Sequence, residues 1–295
     1  MKKQNPDTIA IVIERQDTLL PFLFAYFSDR SKTTVKSYLA HRQVVVNGCA
    51  TTQFDTPLAP GDRVEINLGR AREAMSHPML RIVYEDDDLI VIEKRNGLLS
   101  VATDKQIMRT AYSILSEYVK QSDPRNKIFV LHRLDRETSG LMMFAKSEAV
   151  KFKVQSRWEE TVVERKYFAV VEGIVERDHG TISTYLTENK ALKVYVTARE
   201  EGKIANTAYR VLKRSKRNDV TLLELELETG RKNQIRAHME YIGHPIIGDK
   251  KYGSKRALIG RVALHAGVLS FIHPVTGKRL DFSTPVPRKF LDLFA

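Results

Sequence analysis

Cysteine occurs once in the 295 residues, at Cys49, so no disulfide can close within the chain and no CxxC zinc ligand pair exists. Glycine (15) and proline (10) are sparse, which excludes a collagen-like or low-complexity chain. No apolar run approaches the ~18 residues that a membrane span needs. Lys2 and Lys3 imitate the start of a signal peptide, but Ile9–Ile13 is too short for its apolar segment, and Glu14 and Arg15 end it. There is no G-x-x-x-x-G-K-S/T loop and no G-x-G-x-x-G fingerprint, so ATP and NAD have no support. None of the eight histidines sits in H-E-x-x-H, which argues against a zinc hydrolase. The expectation is a cytosolic protein of a reducing compartment, with no membrane partner, no metal and no cofactor.

What the chain does have is positive charge. Lys and Arg number 48 against 36 Asp and Glu, a net of +12, while hydrophobic residues make up an ordinary 42%. Such an excess favours a polyanionic partner, RNA or DNA first, over the plainer alternative of a generally basic enzyme. The excess is uneven. Residues 1–69 carry 8 basic and 7 acidic side chains, so +11 lies in the remainder.

The length suits about two domains. A boundary is expected at 70–79, RAREAMSHPM, which lacks strand alternation and contains the helix-stopping Pro78. The small unit before it, 1–69, reads as a helix over Leu19–Phe27 with Pro21 in its first turn. A second helix follows, capped by Ser31 or Thr33, with Val35 and Leu39 on one face and Lys32 and Lys36 on another. Val44–Val46 then enters an Asn47-Gly48 turn, and Val64–Ile66 closes the unit. In the larger part, 80–295, Leu80–Tyr84 and Leu89–Glu93 flank an acidic turn. Residues 107–119 place Ile107, Met108, Ala111, Ile114, Leu115, Tyr118 and Val119 on one helical face. Gly140–Ala145 reads as a buried strand followed by a helix that Ser147 caps. Leu223–Glu228 alternates perfectly, as a half-buried strand does. Arg236–Ile242 reads as a helix stopped by Gly243, and further strands fall at 166–171, 193–197, 204–212 and 262–272. Helices are too scattered for a βαβ alternation, so the class is α+β, with a large mixed, mostly antiparallel sheet.

The densest polar cluster is His132-Arg133-Leu134-Asp135-Arg136-Glu137-Thr138-Ser139-Gly140. In extended backbone, Arg133 and Asp135 share one face and His132 and Leu134 the other. A carboxylate between two guanidiniums favours its anion, fit to act as nucleophile or base. The bland alternative is a surface turn with a salt bridge. A Ser–His–Asp set from Ser139, His132 and Asp135 lacks a nucleophile elbow. A second cluster, Thr229 through His238, follows the alternating strand and opens a helix, where basic groups and free backbone N–H groups suit an anion. Lys166-Tyr167-Phe168 begins a strand and, alone, reads as core.

Taken together, these windows resemble the RluA type of RNA pseudouridine synthase. His132-Arg133-Leu134-Asp135 with Thr138-Ser139-Gly140-Leu141 resembles its signature. Tyr84–Lys94, Lys166-Tyr167, Thr229-Gly230-Arg231 with Gln234-Ile235-Arg236 and His238, Gly243–Ile246 with Gly248-Asp249 and Tyr252-Gly253, and Leu264–Ala266 with His273-Pro274 follow in family order, over about 80–287. Residues 18–69 resemble, more loosely, the small alpha-L RNA-binding motif of a ribosomal small-subunit protein, on Asp29–Ser31, Val46–Gly48 and Gly61-Asp62. The sister type usually has Gly in place of His132. Asn233 departs from the His of many members.

The resemblance implies a pseudouridine synthase fold behind a small α/β RNA-binding domain, and a cofactor-free isomerisation of uridine within RNA. By position, Asp135 corresponds to the essential aspartate and Arg236 to the basic residue paired with it. Tyr167 corresponds to the tyrosine packed on the target base. Arg133 corresponds to a residue entering the space of an extracted base, and Arg231 lies in the basic motif as an RNA-binding candidate. Lys32, Lys36 and Arg42 are candidate phosphate contacts; a solvated helix face is their plainer alternative. The substrate implied is structured RNA, large-subunit rRNA first and tRNA second. A non-catalytic RNA-binding or ribosome-assembly factor on the same scaffold is the competing reading. A monomer is expected.

Overall fold

The computed structural model describes residues 8–40, 43–68, 77–102, 109–121, 123–198 and 201–295. Arg42, residues 70–76 of the expected linker, and Ile107 and Met108 of the expected helical face lie outside the described residues. The chain divides into two compact units, Met1–Ser76 with Lys120–Arg125, and His77–Val119 with Asn126–Ala295. His77 bridges to Leu80, and the Met79 carbonyl accepts from Arg95 N at 2.8 Å. Residues 77–79, expected within the linker, are thus hydrogen-bonded into the larger unit.

The first unit contains β1 (Thr8–Val12), β2 (Asp17–Thr18), α1 (Leu19–Tyr26), α2 (Lys32–Ala40), β3 (Val44–Val46), β4 (Cys49–Ala50), β5 (Pro57–Leu58) and β6 (Arg63–Asn67). A four-stranded sheet runs β1-β6-β3-β4, and β2 pairs with β5. Ser31 caps α2: its Oγ accepts from Thr34 N at 3.1 Å. Asn47 and Gly48 both take positive φ, 49° and 81°, as a tight hairpin turn requires. Leu19, Leu23, Val35, Leu39, Val44, Val64 and Ile66 form one core, leaving Lys32 and Lys36 on the exposed face of α2.

The second unit contains β7 (Leu80–Glu85), β8 (Leu89–Lys94), all but the last residue of α3 (Ala111–Lys120), β9 (Phe129–Val130), β10 (Ser139–Ala145), α4 (Glu148–Ser156), α5 (Trp158–Thr161), β11 (Val162–Glu172), β12 (His179–Glu188), β13 (Val194–Thr197), β14 (Lys203–Ser215), β15 (Val220–Leu227), α6 (Gln234–Tyr241), β16 (Leu264–Ile272), β17 (Arg279–Ser283) and α7 (Arg288–Leu291). Among the described residues these strands form an 11-stranded sheet in the order β13-β12-β14-β15-β11-β16-β10-β8-β7, with β17 on β16 and β9 on β10. Every pairing is antiparallel except β10 with β16.

The α+β class follows from local sequence. Every residue of β10 is buried, matching its unbroken apolar run. In β15, Leu223 and Leu225 are buried while Glu226 is exposed. Ala111, Ile114, Leu115, Tyr118 and Val119 bury one face of α3, and each large apolar side chain so covered contributes on the order of 1.5–3 kcal/mol. Ser147 Oγ caps α4, accepting from Val150 N at 3.2 Å. Helix α6 begins two residues before the expected start, at Gln234, whose side chain accepts from Thr229 Oγ1 and Arg231 N in the preceding turn.

Candidate active site

The polar loop 131–138 runs from β9 to β10 and is held from below by side chains of the β8 end. Lys94 is fully buried, and its Nζ donates to the carbonyls of Arg95 (3.1 Å), Leu98 (2.9 Å) and Arg136 (3.4 Å). Burial and the nearby Arg261 charge push this ammonium down to about 7. Ser100 Oγ donates to Leu134 O at 2.6 Å and accepts from Leu134 N at 3.1 Å. Leu134 points into the core, so Arg133 and Asp135 turn outward on the other face.

Opposite this loop, α6 is tied to the sheet by its own polar residues. Gln234 Oε1 accepts from Thr229 Oγ1 and Arg231 N, and its Nε2 donates to Asn206 O and Thr207 Oγ1. His238 lies between Thr207 Oγ1 (2.8 Å) and Thr184 Oγ1 (3.0 Å), and burial lowers its pKa to about 4. These two motif residues are anchors. Their task is to aim Arg236, which comes one helical turn after Asn233.

Arg236 joins the two sides. Its Nε and Nη2 donate to Asp249 at 2.6 and 2.8 Å, and its Nη1 reaches Asp135 Oδ2 at 3.4 Å and Asn233 Oδ1 at 3.3 Å. Its guanidinium carbon lies 4.7 Å from the centre of the Tyr252 ring. Burial alone would lower its pKa, but the Asp249 bonds and both carboxylate charges outweigh burial and hold it above the ordinary arginine value. Asp135 and Arg236, 101 residues apart, do meet; the closer partner of Arg236, however, is Asp249.

Two cavities adjoin at this pair. One, about 690 Å³, is lined by Asp135 and Arg236 together with Ser100, Lys250, Lys251 and Arg261. The other, about 170 Å³, is lined by Asp135, Arg236, Tyr167, Arg231 and Leu264. Arg133 lines both. Tyr167 sits on β11 opposite Leu225 and Ala266; burial raises the pKa of its phenol, which stays protonated at neutral pH. Arg231 Nε donates to Ile204 O at 3.0 Å, so part of its guanidinium is committed to the scaffold. Lys32 and Lys36 belong to the first unit and have been placed on its exposed face.

The serine-hydrolase arrangement is excluded by geometry. Ser139 Oγ pairs with His265 Nδ1 at 2.7 Å and accepts from Arg261 Nη2 at 2.8 Å. His132 instead packs on Trp158, and its Nε2 accepts from Met143 N at 3.1 Å. Burial holds His132 down to about 3 and His265 to about 4, so both are neutral. Among the described residues one cluster has metal-ligand composition: Asp86, Asp88 and His273. His273 Nδ1 accepts from Val275 N and Thr276 N, which leaves the ring proton on Nε2 to be given to Asp86 at 2.9 Å. Asp86 also accepts from Tyr84 Oη, Asp88 N and Leu89 N. The cluster is a hydrogen-bonded staple across the sheet edge whose donor nitrogen is already used.

Lys94, Ser100, Asp249 and Tyr252 were not singled out for roles by sequence reasoning. A signal existed for two of them: Asp249 and Tyr252 lie within a block that matches the family, but nothing in their spacing ties them to Arg236.

Comparison with known proteins gives the class to which this sheet, with its carboxylate loop before β10 and α6 opposite it, belongs: enzymes of RNA-base isomerisation. The family model for RNA pseudouridylate synthase matches residues 88–241. An RNA pseudouridine synthase of Bacillus subtilis (strain 168), YlyB, is 35% identical over 294 residues, covering 97% of this chain and 96% of that protein. The ribosomal large subunit pseudouridine synthase D of Vibrio cholerae is 32% identical over 285 residues, covering 90% and 87%. Among solved structures, human RNA pseudouridylate synthase domain containing 1 matches with a TM-score of 0.56 and 26% identity, over 70% of this chain and 83% of that one. Human RNA pseudouridylate synthase domain containing 4 shares the fold, with a TM-score of 0.58 at 24% identity over 72% and 91%. The chain belongs to the RNA pseudouridylate synthase family, RluA type. It is an RNA pseudouridine synthase, an isomerase whose substrate is RNA.

Proposed function

We propose that the enzyme converts specific uridines of structured large-subunit rRNA to pseudouridine, with Asp135 acting at the ribose. The single observation behind this reading is the placement of Asp135: one oxygen at the Arg236 guanidinium, the other with no hydrogen-bond partner among the described residues, at the junction of two cavities. Support for the rRNA class comes from relatives named ribosomal large subunit pseudouridine synthase D.

The reaction is an isomerisation, so its atoms balance without a co-reactant. The C1′–N1 bond breaks, the detached uracil turns, and C5 bonds to C1′. C5 gives up its hydrogen to solvent and N1 gains one. Asp135 assists detachment as nucleophile at C1′ or as base at the sugar; Arg236 keeps its carboxylate aimed. Tyr167 packs against the uracil in the smaller cavity, where stacking contributes ~1–3 kcal/mol. Inside a stem the glycosidic bond is hidden, so the nucleotide must be extruded, and Arg133 occupies the gap. Lys32, Lys36 and Arg42 of the amino-terminal unit, an alpha-L-like RNA-binding module in this reading, contact phosphates.

The experiment is tritium release from C5-labelled uridine in RNA. Asp135→Asn is expected to fold, to retain RNA, and to release no tritium; full release would overturn the assignment. Mapping pseudouridines in cells with and without the gene then decides the substrate. Loss confined to large-subunit rRNA supports the proposal, and loss confined to tRNA overturns its rRNA part.

A further inference from the structure

Five N–H donors radiate from the Arg236 guanidinium, and their allocation is uneven. Asp249, only 1% exposed at its side chain, takes Nε and one hydrogen of Nη2 through the two shortest bonds that Arg236 makes, 2.6 and 2.8 Å. Nη1 is left with two longer contacts, to Asp135 Oδ2 at 3.4 Å and to Asn233 Oδ1 at 3.3 Å. The position of the guanidinium is therefore set by Asp249, since a bidentate pair in a buried setting is far stiffer than a single 3.4 Å contact.

Asp249 is itself fixed. Its carbonyl accepts from Tyr252 N at 3.0 Å and Ser254 N at 3.1 Å. The preceding Gly248 has φ +81°, and a Cβ there would meet Arg261 O at 2.2 Å, so the turn has little room to shift. Tyr252 closes one face of the guanidinium, and its hydroxyl accepts from Asn233 Nδ2 at 3.0 Å and Val194 N at 3.1 Å. Asn233 bridges the two, one end on Arg236 and the other on Tyr252. It stands in the left-handed region at φ 51°, which asparagine tolerates better than most residues.

We propose that Asp249 is a positioning residue for the isomerisation. By occupying the Nε/Nη2 edge of Arg236, it prevents that edge from chelating both oxygens of Asp135. One carboxylate oxygen of Asp135 thereby stays open toward the RNA. The inference rests on the reading of Asp135 given above. Its physical basis is geometric: an arginine freed of Asp249 turns its two-pronged edge to the next available carboxylate, which is Asp135. A displacement of about 1 Å in a reacting group can cost on the order of 10²-fold in rate.

The test uses the full chain and total RNA from a deletion strain, labelled with [5-³H]uridine, at enzyme excess. Asp249→Asn is expected to lower the saturating rate of tritium release about 100-fold while the half-saturating enzyme concentration stays within about threefold. Asp249→Glu keeps the charge but shifts the carboxylate by a methylene; it is expected to lose about tenfold with thermal stability near that of the wild type, and it decides the matter if the Asn variant fails to fold. Because Asp249 acts through Arg236, Asp249→Asn combined with Arg236→Lys should be no slower than the slower single variant. Wild-type rates in both Asp249 variants, a loss confined to half-saturation, or a multiplicative double variant would overturn the inference. Asp135→Asn is run alongside. If it releases tritium, the Asp135 reading itself fails. If it is inert while the Asp249 variants are fast, only the positioning role falls.

Discussion

Arg236 is bound more closely to Asp249 than to Asp135: 2.6 and 2.8 Å against 3.4 Å. The site is thus a carboxylate–guanidinium–carboxylate row in which the Asp249 end is buried at the wall of the larger cavity and the Asp135 end is more exposed and lines both cavities. The buried end makes Arg236 a stability residue as well as a site residue. Arg236→Ala strands Asp249 without its partner, and loss of one member of a buried pair costs about 3–5 kcal/mol. Denaturant unfolding should show this loss. Replacing both, Arg236→Met with Asp249→Leu, should recover most of it, since a buried pair and a well-packed apolar pair are close in stability.

Lys94 gives the fold a pH dependence of known sign. Its ammonium titrates near 7 in the folded protein against 10.5 in the unfolded chain, because burial disfavours the charge. Between those values the unfolded chain holds the extra proton, so the contribution of Lys94 to stability rises with pH. Below about pH 7 both states are charged and the full burial cost remains. Unfolding free energies of wild type minus Lys94→Met should climb from pH 7.5 to 10, at up to about 1.4 kcal/mol per pH unit. A flat difference would show that Lys94 stays protonated beneath its three carbonyls.

Arg133 is exposed, lines both cavities, and has no hydrogen-bond partner among the described residues. If it fills the gap left by an extruded nucleotide, its worth depends on there being a stack to leave. Arg133→Ala should slow tritium release from folded RNA on the order of 10²-fold, a few kcal/mol, and slow release from short single-stranded fragments far less. Equal losses on both substrates would assign Arg133 to ordinary phosphate attraction.

Gly140 is the second residue of β10, the strand that follows the active loop, and has φ +117°. A Cβ at this position would lie 2.1 Å from Ala266 O and 2.6 Å from Ala266 N, both backbone atoms of the parallel partner strand. Neither can give way without parting β10 from β16. Gly140→Ala should destabilise by upwards of about 4 kcal/mol and reduce soluble yield. Gly277→Ala, at φ +69° with nothing within 4 Å of the added carbon, serves as the comparison and should cost about 1–2 kcal/mol.

Local chemistry was legible in the chain alone. Asn47-Gly48 specified its turn, Ser31 and Ser147 their caps, the apolar run of β10 its burial, and the alternation of β15 its half-buried face; each depends on residues within a few positions of one another. Strand β12, HGTISTYLTE, escaped because only Ile182 and Leu186 are buried in it, too sparse a stripe to mark a period of two. Family motifs brought Asp135, Arg236 and Tyr167 forward, but which groups touch them was set by the sheet order. Placing β16 between β10 and β11 brings His265 to Ser139 across 126 residues, denying that serine to His132. The turn holding Asp249 meets α6 through contacts that no periodicity encodes. Sequence determines which side chains are available and how the backbone runs locally; the closing of long loops decides which charges become neighbours, because a buried guanidinium takes the carboxylates that packing brings within reach.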